Sequence, residues 1–201
     1  MFNKVLKGIQ RFYLYQKLKS KATILGKIDF SSSSKIVLSD GSTKEDIVIH
    51  NNARVYAKLI SQNKGKIILE ETVKIGSGTI IGAVNYIKIG SGTAISDSVR
   101  IFDNNNHPVH PEDRRLMYQS PWNSPLRKWK NSESKPIIIG KNVWIGQNTR
   151  INKGVTIGDN SIVAANTVVT KDVPPNSIVA GNPGKIVKTD IDKLPRVFKE
   201  E

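Results

Sequence analysis

The sequence predicts an all-β solenoid of short stacked strands, and two periodic patterns carry this prediction. Aliphatic residues recur at every sixth position: Ile139, Ile145, Ile151, Ile157, Val163 and Val169. Three residues after each comes a residue type that tolerates a left-handed backbone: Asn142, Asn148, Gly154, Asn160, Asn166 and Asp172. A chain that turns a corner every six residues forms three short strands per coil, each with one inward aliphatic residue.

Hairpins of a β-sandwich are the alternative, but they predict strands of varying length and irregularly spaced turn residues. The solenoid is favoured because both sets keep register throughout, and a weaker repeat precedes them. Its positions are Ile49, Val55, Leu69, Ile75, Ile81, Ile89, Ile95 and Ile101. A two-residue slip between Ile81 and Ile89 predicts an extra bend near Asn85 and Tyr86.

Four segments follow from these patterns. Residues 1–20 form a basic amphipathic helix, 21–68 contain irregular strands and the first coils, and 69–175 are the main solenoid, interrupted by a loop at 103–136. Residues 176–201 are a C-terminal segment and tail. The apolar positions at helical spacing within residues 2–19 are Phe2, Val5, Leu6, Ile9, Phe12 and Tyr13.

The helix has two possible roles. Its apolar face could cap one end of the coil, or it could lie on an anionic membrane surface as a peripheral contact through residues 2–19. Capping is favoured because solenoids generally need terminal caps.

Composition excludes several classes of function. The net charge of +14 comes from Lys and Arg spread along the chain without a nucleic-acid-binding motif, so no nucleic-acid partner is expected. The absence of cysteine excludes disulfides, thiolate metal sites and a cysteine nucleophile. Because no apolar run is long enough for a bilayer span or a signal core, we expect a cytoplasmic protein, with the inner face of the membrane as the alternative.

The loop from Asp103 to Pro136 is the first place to look for chemistry, because the repeat vanishes there and long excursions are commonly functional. Two of the three histidines, His107 and His110, lie in it, and histidine is the side chain best suited to accept a proton near neutral pH. The third, His50, occupies an outward position of a repeat block, which is typical of a solvated surface residue.

Several motifs in this chain resemble one known family. The stretches HPVHPEDRR, NVWIG, TKDVPPN and GNPGKIV, with the hexapeptide repeats, are similar to the hexapeptide-repeat O-acetyltransferases. The similarity is to the branch of galactoside, maltose, capsule and lipopolysaccharide acetyltransferases. It covers residues 69–188 well and the first 60 residues poorly. It implies a left-handed parallel β-helix, a homotrimer, and acetyl-CoA as co-substrate in a groove between neighbouring coils, with no metal and no covalent enzyme intermediate.

The resemblance also assigns site residues. It makes His107 the general base, with His110 as the competitor, and Lys185 and Lys188 the partners of the cofactor's 3′-phosphate. The full set of expected cofactor residues is Trp144, Gly146, Gln147, Ala165, Thr170, Lys171, Lys185 and Lys188. For Trp144 a subunit contact is the alternative to the cofactor groove.

Aromatic residues alternate with cations in the loop, which suits a sugar ring packed on an aromatic face. The expected acceptor residues are Asn85, Arg114, Tyr118, Trp122 and Trp129. The alternative is that the aromatic residues fold the loop onto a neighbouring subunit.

The sequence thus predicts an acetyl-CoA-dependent O-acetyltransferase acting on a sugar hydroxyl of a surface polysaccharide or its precursor. Three alternatives are an N-acetyltransferase of an amino sugar, a non-catalytic solenoid binding protein, and a metal-dependent lyase on the same coil. The lyase is disfavoured because it needs three converging histidines and His50 is far from the loop in sequence.

Overall fold

The computed structural model describes residues 2–198, and the side chains of residues 2–7 and of Arg11 are outside the described set. It confirms the predicted solenoid, since the strands form three sheets along the faces of a prism and the chain is a left-handed parallel β-helix. We call these sheets A, B and C, and the prism edges that join them corners AB, BC and CA.

Each coil contributes one strand to each sheet in turn. Sheet A contains β1 (Thr23–Leu25), β4 (Ile47–His50), β7 (Lys66–Leu69), β10 (Tyr86–Ile89), β13 (Ile137–Ile139) and β16 (Thr156–Ile157). Sheet B contains β2 (Ile28–Phe30), β5 (Ala53–Val55), β8 (Lys74–Ile75), β11 (Ala94–Ile95), β14 (Trp144–Ile145), β17 (Ile162–Val163), β19 (Ile178–Ala180) and β20 (Lys185–Lys188). Sheet C contains β3 (Lys35–Ser39), β6 (Lys58–Gln62), β9 (Ile80–Ala83), β12 (Arg100–Phe102), β15 (Arg150–Ile151) and β18 (Val168–Val169).

These strands pair in parallel, except that β20 turns back and pairs antiparallel with β19. Aliphatic residues in register along each sheet form the core, as where Ile89 stacks on Ile139 and Ile139 on Ile157. The six repeat residues from Ile139 to Val169 are each at most 1% exposed. Burying an aliphatic side chain of this kind contributes about 1.5–3 kcal/mol relative to leaving it in water.

The predicted corner residues have the expected conformation with one exception. The φ angles of Asn142, Asn148, Gly154, Asn160 and Asn166 lie between 52° and 77°. For Asp172 the prediction was wrong, because the last corner CA is shorter: Val173 follows Val169 by four positions instead of six. The Asp172 carboxylate instead accepts a hydrogen bond from the N–H of Thr156 at 2.7 Å.

Helix α1 (Phe2–Lys19) packs on the first coil through its last turns, where Leu18 is buried and Leu14 and Tyr15 pack against the core. The prediction that its apolar face caps the coil was wrong for Ile9, Phe12 and Tyr13, which are 47%, 61% and 70% exposed. Nine residues, or two and a half turns, separate Ile9 from Leu18, so the two side chains lie on opposite faces. The predicted face also included Phe2, Val5 and Leu6, whose side chains lie outside the described set.

The excursion leaves corner CA after β12 and contains α2 (Pro111–Gln119) and two 3-10 turns, Pro125–Arg127 and Trp129–Asn131. Two further 3-10 turns are Lys44–Asp46 and Ile191–Lys193. The excursion folds back over sheet C, where the N–H of Trp129 donates to Oε1 of Gln62 at 2.7 Å. Its indole packs edge-on against Phe102, with ring centroids 5.6 Å apart. Among residues 2–198, no helix has the length and apolar character needed to cross a membrane.

Candidate functional site

The excursion begins at a rigid neck built around Asp103, which is fully buried. Its carboxylate accepts hydrogen bonds from the N–H of Val84 at 3.0 Å, the N–H of Asn85 at 2.8 Å and Nδ2 of Asn104 at 3.0 Å. Burial raises the pKa of Asp103, and these hydrogen bonds oppose that shift. The extra bend between β9 and β10 is therefore tied to the base of the loop that carries His107.

His107 is exposed, and its imidazole is held from one side by helix α2. Its Nδ1 lies 3.4 Å from Sδ of Met117, which is buried at 2% exposure, and its ring centroid lies 6.0 Å from that of Tyr118. A thioether sulfur can only accept a hydrogen bond, so this contact is a hydrogen bond in the tautomer that carries its proton on Nδ1. In that tautomer Nε2 carries the lone pair and is free to accept a proton.

One side of His107 opens into an aromatic cavity of about 540 Å³. Its other lining residues include Gln62, Met117, Tyr118, Trp122, Arg127 and Trp129. The guanidinium of Arg127 lies over the indole of Trp122, 5.2 Å from its centroid, and donates to the backbone carbonyls of Tyr118, Ser120 and Pro121. Arg127 thus builds the rim, while Trp122, 88% exposed, presents an indole at the mouth.

The other side of His107 opens into a cationic cavity of about 500 Å³. Its lining residues include Arg114, Arg150, Asn152, Lys153 and Thr170. Arg114 donates to the carbonyl of Val109, and Lys153 pairs with Glu133 at 3.2 Å, which lowers the pKa of that carboxylate.

Arg150 and Lys153 were missed by sequence reasoning. A signal was present, because Arg150 and Arg100 occupy equivalent outward places one coil apart and pair in register.

Corner BC presents a different surface, made of backbone. Gly146 lies so close to the next coil that a Cβ there would lie 2.5 Å from the backbone N of Ala165. Gln147 and Ala165 are both exposed, and within residues 2–198 their N–H groups donate to no acceptor. Adjacent coils thus offer free amide donors along this edge.

Three other expected cofactor residues lie along sheet B. Trp144 is 56% exposed on its outer face, between Ala94 and Ile162 of the neighbouring strands. At the end of the same sheet, β20 carries Lys185 and Lys188, both exposed.

The expected site residues therefore divide into two groups within one chain. Around His107 at corner CA lie Arg114, Tyr118, Trp122, Trp129 and Thr170, with Lys171 exposed beside Thr170. Along corner BC and sheet B lie Trp144, Gly146, Gln147, Ala165, Lys185 and Lys188. Asn85 sits at the neck, exposed, with its N–H bound by Asp103. The width of sheet C separates the two groups, because the corners lie at its opposite edges.

Comparison with known proteins shows what this chain is similar to. Residues 136–171 match the family model for the hexapeptide repeat of succinyl-transferase. Galactoside O-acetyltransferase of Escherichia coli K12 is 41% identical over 107 residues, which are 53% of this chain and 46% of that protein. WbbJ of the same strain, provisionally named a lipopolysaccharide biosynthesis O-acetyl transferase, is 31% identical over 133 residues, or 65% of this chain and 64% of WbbJ. The chain thus spans less than two thirds of the length of these relatives.

A solved structure agrees with this class. The hexapeptide-repeat acetyltransferase VCA0836 of Vibrio cholerae O1 biovar eltor, in complex with acetyl-CoA, has a TM-score of 0.57 and 26% identity over 90% of this chain and 77% of that chain. This chain is a hexapeptide-repeat protein with the left-handed β-helix fold. The resemblance to the O-acetyltransferases of this class, indicated by its motifs, is confirmed by these matches.

Proposed function

We propose that this protein is an acetyl-CoA-dependent O-acetyltransferase acting on a sugar hydroxyl of a surface polysaccharide or its precursor. The observation that carries the proposal is the position of His107 between two cavities of different chemistry. An aromatic cavity suits a sugar ring, and a cationic cavity suits an anionic co-substrate. The names of the curated relatives support acetyl transfer to oxygen.

In the proposed reaction, Nε2 of His107 accepts the proton of the acceptor hydroxyl as its oxygen attacks the thioester carbonyl carbon. The new C–O bond forms, the C–S bond breaks, and the thiolate of CoA leaves and takes up the proton. The products are an acetyl ester and CoA. Met117 is the positioning residue in this scheme, because its sulfur favours the tautomer with a free Nε2.

The cofactor is proposed to lie along corner BC, because its pantetheine amides need backbone partners. The free N–H groups of Gln147 and Ala165 supply donors on successive coils, and Lys185 and Lys188 supply cations for the phosphates. Since corner BC and His107 lie at opposite edges of sheet C, one chain does not complete this arrangement. We therefore propose a homotrimer in which the corner BC of one subunit faces the His107 loop of the next.

The test is the substitution His107→Ala, with His110→Ala as the matched control from the same loop. Acetyl-CoA is offered with a panel of neutral and acidic saccharides, and released thiol is measured with a chromogenic disulfide. We expect His107→Ala to lower kcat by about 10²–10⁴-fold with cofactor affinity unchanged, and His110→Ala to retain most activity. Full turnover by the His107 variant would reject the assignment.

Amide formation on an amino sugar is the second candidate, because the same base and cofactor would serve an amine. Mild alkali separates the two outcomes, since it hydrolyses an acetyl ester and leaves an amide intact. A non-catalytic binding protein would bind acetyl-CoA or saccharide without releasing thiol. Absence of acetyl-CoA binding in calorimetry would reject both enzyme candidates together and favour the non-catalytic binding protein.

A further inference from the structure

Helix α1 presents an apolar strip, Ile9, Phe12 and Tyr13, which we call the outer strip. The helix is already anchored without it, because Leu18 is 3% exposed and Tyr15 packs edge-on against Phe30, with ring centroids 6.0 Å apart. The three strip residues follow i, i+3 and i+4 spacing, so they form one continuous face directed away from the coil. An exposed apolar face with two aromatic rings, on the side of α1 that does not pack on the coil, indicates a contact with a partner.

The charge around this strip is strongly positive. The first acidic residue of the chain is Asp29, so residues 1–28 contain seven Lys and Arg and no Asp or Glu. Over residues 1–66 thirteen Lys and Arg stand against four Asp and Glu, a net charge of +9 out of +14 for the whole chain. Of those four acids, Asp29 pairs with Arg54, Asp40 with Lys128, and Asp46 is buried in the cap of a 3-10 turn.

We propose that the outer strip of α1 docks on an anionic phospholipid surface, so that this end of the β-helix faces the membrane. An apolar, aromatic face bordered by exposed Lys17 and Lys19 matches the chemistry of an interfacial helix. The positive charge around the strip is complementary to lipid phosphates and not to a second, equally basic copy of the chain. Double-stranded nucleic acid would satisfy the charge and leave the rings of Phe12 and Tyr13 exposed to water.

A consequence for catalysis rests on the proposed function. The excursion bends back toward the α1 end, where Lys128 pairs with Asp40 at 2.6 Å and Trp129 is bound by Gln62. Gln62 belongs to the second coil and lines the aromatic cavity. This part of the cavity wall therefore lies one strand spacing, about 4.8 Å, from the first coil, on which α1 packs. A saccharide carried on a membrane lipid would then be held at the end of the β-helix nearest this cavity.

The experiment is vesicle flotation of the full chain with two lipid compositions, pure phosphatidylcholine and phosphatidylcholine with phosphatidylglycerol. We expect binding to the anionic vesicles alone, weakened by added salt. The double substitution F12S/Y13S should lower the vesicle partition coefficient at least about tenfold. Phe198→Ser is the matched control, because Phe198 is an 84% exposed aromatic residue outside α1, and it should leave binding unchanged.

Two further measurements separate the outcomes. Turnover of F12S/Y13S on a soluble saccharide should equal that of the unmodified protein, so a loss of vesicle binding is distinguished from a failure of the proposed function. Equal binding of both variants to anionic vesicles, or no binding by the unmodified chain, would overturn the proposal. So would a smaller oligomer for F12S/Y13S in analytical ultracentrifugation, which would assign the outer strip to a second copy, or preferential binding of RNA over vesicles.

Discussion

Gly146 offers a direct test of corner BC as the cofactor edge. A Cβ at this position would lie 2.5 Å from the N and 2.8 Å from the Cα of Ala165, whereas ordinary contact begins at 3.4 Å. In Gly146→Ala the two coils must therefore separate locally by about 0.9 Å, roughly a fifth of the 4.8 Å strand spacing. The hydrogen bond from the N–H of Gly146 to the carbonyl of Val163, now 2.8 Å, would lengthen with it.

Overpacking of this kind costs about 1–3 kcal/mol, which lowers the unfolding midpoint by roughly 2–12 °C for a chain of this size. Gly140→Ala is the matched control, because a Cβ there would lie 2.3 Å from Oδ1 and 2.8 Å from the N of Asp159 at corner AB, away from both cavities. We expect similar losses of thermal stability in both variants by calorimetry. Acetyl-CoA affinity in titration calorimetry should fall at least about tenfold for Gly146→Ala alone. Equal affinities in the two variants would refute the assignment of corner BC.

Two other substitutions test the supports of the loop and of sheet A. Asp103→Asn points an amide donor at the N–H groups of Val84 and Asn85, so it should cost about 1–3 kcal/mol of stability and lower turnover. An unchanged unfolding midpoint would contradict the role of Asp103 in holding the neck of the excursion. Glu70 pairs with Lys88 at 2.7 Å, and this hydrogen bond lowers the pKa of the Glu70 carboxyl from 4.5. The ion pair therefore stabilises the fold fully above pH 4.5, and this contribution is lost as the pH falls through the lowered pKa. Glu70→Gln should then cost about 0.5–1 kcal/mol near pH 7, and this cost should shrink progressively as the pH falls below 4.5, as measured by urea unfolding at a series of pH values.

Most of the coil could be predicted from the sequence, because one aliphatic residue per face and one left-handed residue per corner are local requirements that repeat. The prediction for Asp172 was wrong because the length of the last corner depends on how the chain leaves the coil, which the six-residue pattern does not encode. Amphipathicity located an apolar face on α1, but which face meets the coil depends on Leu18 and the turn after it. Arg150 and Lys153 were missed because the shared outward position of Arg100 and Arg150 does not reveal that the excursion folds beside them.

The division of the expected site residues between two corners has a consequence for how this fold can change its substrate. Corner BC is built from main chain and small residues, so its free N–H groups follow from the coil itself and vary little with side-chain identity. The acceptor side is built from an excursion whose aromatic residues line a cavity, and the neck at Asp103 and contacts such as Trp129 to Gln62 tie this excursion to the coil. Exchanging residues 108–128 between such proteins should therefore change the acceptor while the cofactor is retained, provided that Asp103, His107 and Trp129 stay in place.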